Sequence, residues 1–171
     1  MTGQKKELWH YSEIPADEEV AKLMPGFEIQ YVITDENCER NTRSTFGHCV
    51  FPANSQHFAH RHTEAAETVY VIRGRVVNGQ VDEDGVVSES ECGPGTTTFV
   101  PQGRIHWTRN PFDEPAEFVF AYYGAPSLQK SGYVDLASEV PVKNDPVSGT
   151  ITLPLRVPRE VADLSVRAPA V

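Results

Sequence analysis

An all-β domain is predicted by three features of the chain. Short runs rich in β-branched and aromatic residues recur between residues 45 and 123, each stopped by Gly, Pro or an Asp-Gly pair. Very little of that stretch has the apolar spacing of a helix. Beyond Gly124 the composition changes, because Pro126, Pro141, Pro146, Pro154, Pro158 and Pro169 interrupt any regular element. Many short strands with close turns read as a sandwich or barrel. Extensions flank it, so the chain divides into an N-terminal extension with an edge strand (1–44), a barrel (45–125) and a Pro-rich C-terminal arm (126–171).

Glu18 to Met24 can make a short helix, ended by Pro25-Gly26. Phe27 to Thr34 alternates and reads as a strand. Asp35 to Arg43 is polar and loop-like, and Thr45 to Phe51 is a second strand stopped by Pro52. Ala53 to Ala59 reads as a connection. Glu67 to Arg73, Arg75 to Val81, Val86 to Glu91, Thr96 to Val100, His106 to Arg109 and Ala116 to Tyr123 follow as strands. Asp82 to Gly85 is a hairpin signal of the Asp-Gly kind, and Asn78-Gly79 marks a bulge or turn. In the arm, Thr150 to Val157 can form one edge strand, and the arm is expected to pack on the barrel or on a second subunit.

The net charge of −9 disfavours nucleic acid and anionic membrane surfaces as partners. Three cysteines, with no Cys-x-x-Cys pair, give no disulfide framework and point to a reducing compartment. The N-terminal residues lack the apolar run of a secretory signal. No apolar stretch approaches the roughly 20 residues that span a bilayer. A cytoplasmic protein is therefore expected.

Chemistry is concentrated at His60, His62, Glu67 and His106. The chain has six histidines, and half of them fall in this set. His60 and His62 are two apart, so on a strand they share a face. A hairpin across Thr63 to Ala66 can set Glu67 opposite them, and antiparallel pairing can bring His106 alongside. Three imidazoles and a carboxylate suit a divalent transition metal. Structural zinc sites are closed and usually cysteine-rich, whereas four donors around a six-coordinate ion leave two positions open.

The spacing around these donors resembles the two motifs of a single-domain cupin. His60, His62, Glu67 and Gly74 keep the first motif, and Gly95, Pro101, Gly103, His106 and Asn110 keep the second. One position departs: Asn54 stands where the family has its leading glycine. Asparagine also tolerates left-handed backbone, so the turn there is expected to survive. The resemblance covers roughly residues 45–123. It implies a jelly-roll β-barrel with the metal inside, and it fixes the fold far better than the reaction.

The expected function is that of a metal-dependent enzyme. The first reading is a dioxygenase acting on a small enolisable, hydroxy-keto or aromatic substrate, with iron as the metal. Manganese, nickel, zinc and cobalt also suit the donor set. The second is a non-redox lyase, isomerase or cyclase in which the metal is a Lewis acid. The third is a small-molecule binding protein without catalysis. Glu67, His48 and Tyr122 are the candidates for proton transfer. His48 is grouped by alternation with Phe46 and Val50, and a hydrogen-bonded core role is the competing assignment. Tyr122 and Tyr123 face opposite ways, so one of them can reach the cavity, although packing explains either. His57 reads as a surface loop residue, His10 as unrelated, Trp107 as packing outside the cavity and Glu64 as solvated. A homodimer through edge strands is expected.

Overall fold

The structure, a computed structural model, describes residues 5–142 and 157–162. A 3-10 turn at Tyr11–Glu13 precedes a short helix, α1 (Glu18–Leu23). Among the described residues ten strands follow: β1 (Glu28–Ile33), β2 (Ser44–Phe51), β3 (Ser55–His62), β4 (Ala66–Arg73) and β5 (Val76–Val81), then β6 (Val87–Cys92), β7 (Thr97–Val100), β8 (His106–Asn110), β9 (Ala116–Tyr123) and β10 (Tyr133–Asp135). A last helical turn, α2, spans Arg159–Ala162.

The strands form two five-stranded sheets, in the orders β1-β2-β9-β4-β7 and β10-β3-β8-β5-β6. Each strand pair is antiparallel. The sheets face each other across Phe27, Phe51, Val69, Val71, Phe118 and Phe120, all buried. On β2 the alternation sends Cys49 and Phe51 inward. The outer face of the second sheet is covered differently. There Trp107 and Ile105 pack under Leu136, Val140 and Val142 of the C-terminal arm, and under Val157 and Ala162.

The Asn78-Gly79 pair is neither bulge nor turn: β5 runs straight through it and pairs on both sides. The register sets Gly79 opposite Trp107 on β8 and Glu89 on β6. The indole lies flat over Gly79, where a Cβ would fall 2.0 Å from Trp107 Cε2. The glycine is there for close approach, not for a turn. The ring then reaches across it, and Trp107 Nε1–H donates to Glu89 Oε1 at 2.7 Å. Glu89 also receives a bidentate pair from the fully buried Arg109, at 2.9 Å from Nε and 2.6 Å from Nη2.

The connection expected over Ala53–Ala59 is mostly strand, since β3 begins at Ser55. Asn54 adopts φ +53°, the left-handed turn expected at the position where it replaces glycine. Nearby, the buried Asn110 amide donates to the carbonyls of Pro52 and Glu114 and accepts from Phe112 N–H. That one side chain ties the turn before β3 to the turn before β9. The Asp82–Gly85 turn forms as expected, with Asp82 Oδ1 accepting from Asp84 N–H and Val86 N–H. The edge strand expected at Thr150–Val157 lies outside the described residues apart from Val157, whose N–H donates to Gly85. The cysteines Cys38, Cys49 and Cys92 are free and buried. Among the described residues no helix is long and apolar enough to cross a membrane.

Candidate metal centre

His60 and His62 end β3, and His106 opens β8 directly across from His60 in the antiparallel register. Glu67 arrives by another route than a hairpin. The chain leaves β3 in one sheet and enters β4 in the other, so Glu67 faces the histidines across the barrel. One donor atom from each of His60, His62, Glu67 and His106 lies within 4.8 Å of the others, and all four residues are buried or nearly so.

The hydrogen bonds on the far side of each ring orient the set. His60 Nδ1–H donates to the Phe58 carbonyl at 2.7 Å, and His106 Nδ1–H donates to the Arg104 carbonyl at 3.0 Å. Ser131 donates its hydroxyl to the Leu128 carbonyl, so its oxygen accepts from His62 Nδ1–H at 2.8 Å. With Nδ1 carrying the proton, each Nε2 presents a lone pair. His62 Nε2 is buried without a hydrogen-bond partner. His106 Nε2 lies 2.8 Å from Glu67 Oε2, a contact between two acceptors in this tautomer. Such a geometry calls for a cation, and three nitrogens with one carboxylate fit a divalent transition metal.

The supporting bond from Ser131 gives a direct test. Ser131→Ala leaves the His62 ring free to turn, and the affinity for a divalent metal is expected to fall about ten- to hundredfold. Titration calorimetry of metal-stripped protein measures it, and equal affinities for the two proteins contradict the assignment.

Burial holds the imidazoles neutral. Loss of solvent presses His62 and His57 down to about 4 and His60 well below the usual imidazole range. For Glu67, burial pushes upward, but the close approach of His106 and the field of the neighbouring rings outweigh it, and the carboxyl falls below its usual value. In the unfolded chain the imidazoles titrate near pH 6.5. Between about pH 6.5 and 4 the unfolded chain therefore binds more protons than the folded one, and stability falls as the pH falls. Metal-free protein is expected to lose at least about 5 °C of Tm between pH 7 and 5. A Tm that holds constant across that interval in thermal melts contradicts this electrostatic picture.

Three of the four donors, His60, Glu67 and His106, line a cavity of about 190 Å³. Tyr122 lines it, with its ring 4.7 Å from that of His62. Burial raises its hydroxyl well above the usual phenol range, so it stays protonated. His48 is not in the cavity. It points to the outer face of its sheet, because its neighbours Cys49 and, two further on, Phe51 take the inner one. There it lies between Gln30 Oε1 (3.0 Å) and Glu117 Oε1 (2.9 Å), with Tyr11 stacked on its ring at 4.1 Å. The catalytic expectation for His48 is corrected to a structural one on this geometry.

Three cavity residues escape a reading of the sequence. His57, expected on the surface, lines the cavity with its ring stacked 4.1 Å from His60. A bulge between His57 and His60 reverses the alternation and brings both rings inward. Tyr133 comes from the C-terminal arm, where β10 pairs with β3 and sets Tyr133 opposite His62. Tyr31 of β1 also reaches the cavity. The alternation of β1 carried a usable signal for Tyr31, whereas the bulge and the arm left none. Trp107 packs outside the cavity, Glu64 is exposed, and His10 caps the N-terminal 3-10 turn.

Residues 47–122 match the model of the cupin domain. Germin-like protein 3-8 from Oryza sativa subsp. japonica is 35% identical over 63 residues, which is 37% of this chain and 28% of the rice protein. Oxalate decarboxylase from Bacillus subtilis superposes with a TM-score of 0.66 at 20% identity, over 79% of this chain and 33% of that one. A recombinant oxalate oxidase in complex with glycolate superposes with a TM-score of 0.58 at 18% identity, over 67% of this chain and 57% of the other. At these identities the solved structures show the fold alone. The chain spans a third or less of the length of the rice and B. subtilis proteins. The matched segment, the donor spacing and the two facing antiparallel sheets together make residues 47–122 similar to a cupin domain.

Proposed function

We propose that the chain is a metal-dependent dioxygenase acting on a small enolisable or hydroxy-keto substrate of partly aromatic character. The observation that supports this most is the contrast within one cavity. Its ligand set is strongly polar, while most of the remaining wall is apolar or aromatic, including Phe51, Val69, Phe118 and Phe120. Two of the similar structures are named for oxalate, a small dianion. No Lys or Arg lines this cavity among the described residues, so a dianion finds no cation there apart from a metal. A substrate with two oxygens at one end and a flat apolar body fits better.

A divalent metal held by His60, His62, Glu67 and His106 would supply Lewis acidity to the substrate oxygens and, if redox-active, reactivity toward dioxygen. The chain itself does the rest. Phe51, Phe118 and Phe120 exclude water from the space beside the donors. Tyr122, held protonated, donates a hydrogen bond to a substrate oxygen. Glu67 keeps its carboxylate charged and is positioned to accept the proton of an ionising hydroxyl. Iron is the proposed metal.

A non-redox lyase, isomerase or cyclase is the second reading. It is favoured by Tyr31, Tyr122 and Tyr133 around the site, since such chemistry needs proton donors more than dioxygen. Oxygen uptake separates the two. Iron-loaded protein is expected to consume oxygen in step with a hydroxy-ketone or catechol substrate and to lose turnover when zinc replaces iron. Turnover that continues without oxygen in the zinc form overturns the dioxygenase and installs the second reading.

A further inference from the structure

The cavity lined by His60, Glu67 and His106 is also walled by α1 and the residue that follows it. Val20, Leu23 and Met24 line it together with Phe27 and Leu128. Val20 and Met24 pack against the inter-sheet core, whereas Leu23 is 81% exposed, so this stretch of wall stands where the cavity meets solvent. The placement of α1 is built in. Asp17 caps the helix by accepting from Glu19 and Val20 N–H, and its own N–H donates to Ile29 of β1. After the helix, Gly26 turns at φ +89°, a conformation that favours glycine, and Phe27 N–H donates back to Met24. The helix and its C-cap residue Met24 therefore present three side chains to the cavity, and none can form a hydrogen bond of consequence.

We propose that α1 and Phe27 form an apolar subsite for the hydrocarbon part of the ligand, an aryl ring or a branched alkyl chain, whose oxygens face the His60/His62/Glu67/His106 set. The proposal rests on the metal-centred reading of that set and locates the part of the cavity that takes the substrate's apolar body. Size agrees with it. An apolar cavity of roughly 150 Å³ accommodates benzene, so about 190 Å³ accepts one ring with a small oxygen-bearing head. Polyhydroxylated ligands are disfavoured, because hydroxyls brought against Val20, Met24 and Phe27 would give up water without gaining partners.

Two hydroxamic acids with the same metal-binding head test it by calorimetry on the full chain loaded with redox-inert zinc. Benzohydroxamate is expected to bind on the order of thirtyfold more tightly than acetohydroxamate, which is about 2 kcal/mol for a buried phenyl group. In V20S/M24S, which opens the subsite to water, the ratio is expected to fall to about threefold. In Met24→Phe, which fills it, benzohydroxamate is expected to weaken by about tenfold. Circular dichroism establishes that each variant is folded. Equal affinity for the two hydroxamates in the unsubstituted protein overturns the subsite and leaves the metal centre standing. So does a ratio unchanged in both variants. Failure of acetohydroxamate to bind the zinc-loaded protein overturns the metal-centred reading, and the subsite with it.

Discussion

His106→Gln is expected to lower affinity for a divalent transition metal by more than about a hundredfold. Loss of a hydrogen bond behind a ligand already costs ten- to hundredfold, and removal of the ligand costs more. His106 stands opposite His60 in the register and 2.8 Å from Glu67, so it closes the set from the β8 side. Glutamine keeps much of the volume, which separates lost ligation from a lost fold. Calorimetry on metal-stripped protein reads the affinity, and circular dichroism reads the fold. A folded variant that binds metal within threefold of the unsubstituted protein contradicts the ligand assignment.

The largest effect on stability is expected away from the site, at Glu89→Ala. Glu89 accepts from Trp107 Nε1 and from two nitrogens of Arg109, a residue with no exposed surface. Removing one member of a buried pair costs about 3–5 kcal/mol, because the remaining charge keeps its desolvation penalty. For a chain of this length that corresponds to a fall in Tm of roughly 10 °C. The double variant Glu89→Leu with Arg109→Met is expected to recover much of the loss, since replacement of both partners by apolar groups is often neutral. A Glu89→Ala Tm within 2 °C of the parent would show that this pair contributes little.

The fold and the four donors could be read from the sequence because their signals are local. Strand alternation, the His-x-His pair, the glycines and Asn54 each act within a few residues. What could not be read depends on contacts made elsewhere. His48 sits on a strand whose inward face was chosen by Cys49 and Phe51, and alternation alone gives two equal choices of face. His57 is three residues before His60, so a regular strand would turn the two rings apart, and the bulge that reunites them leaves no compositional mark. Gly79 looked like a turn because glycine favours turns. Its actual reason, an indole laid across it, lies on β8. Tyr133 belongs to an arm that reads as irregular, and it joins the site through pairing with β3. The crossing from one sheet to the other before Glu67 has the same sequence appearance as a hairpin.

The most direct test of the account is the metal content of the purified protein. Elemental analysis of the unsubstituted chain is expected to find about one divalent transition metal per molecule, and much less in His106→Gln purified in parallel. Metal-free protein that also fails to take up iron, manganese or zinc with micromolar affinity would contradict the metal centre, and with it the proposed chemistry.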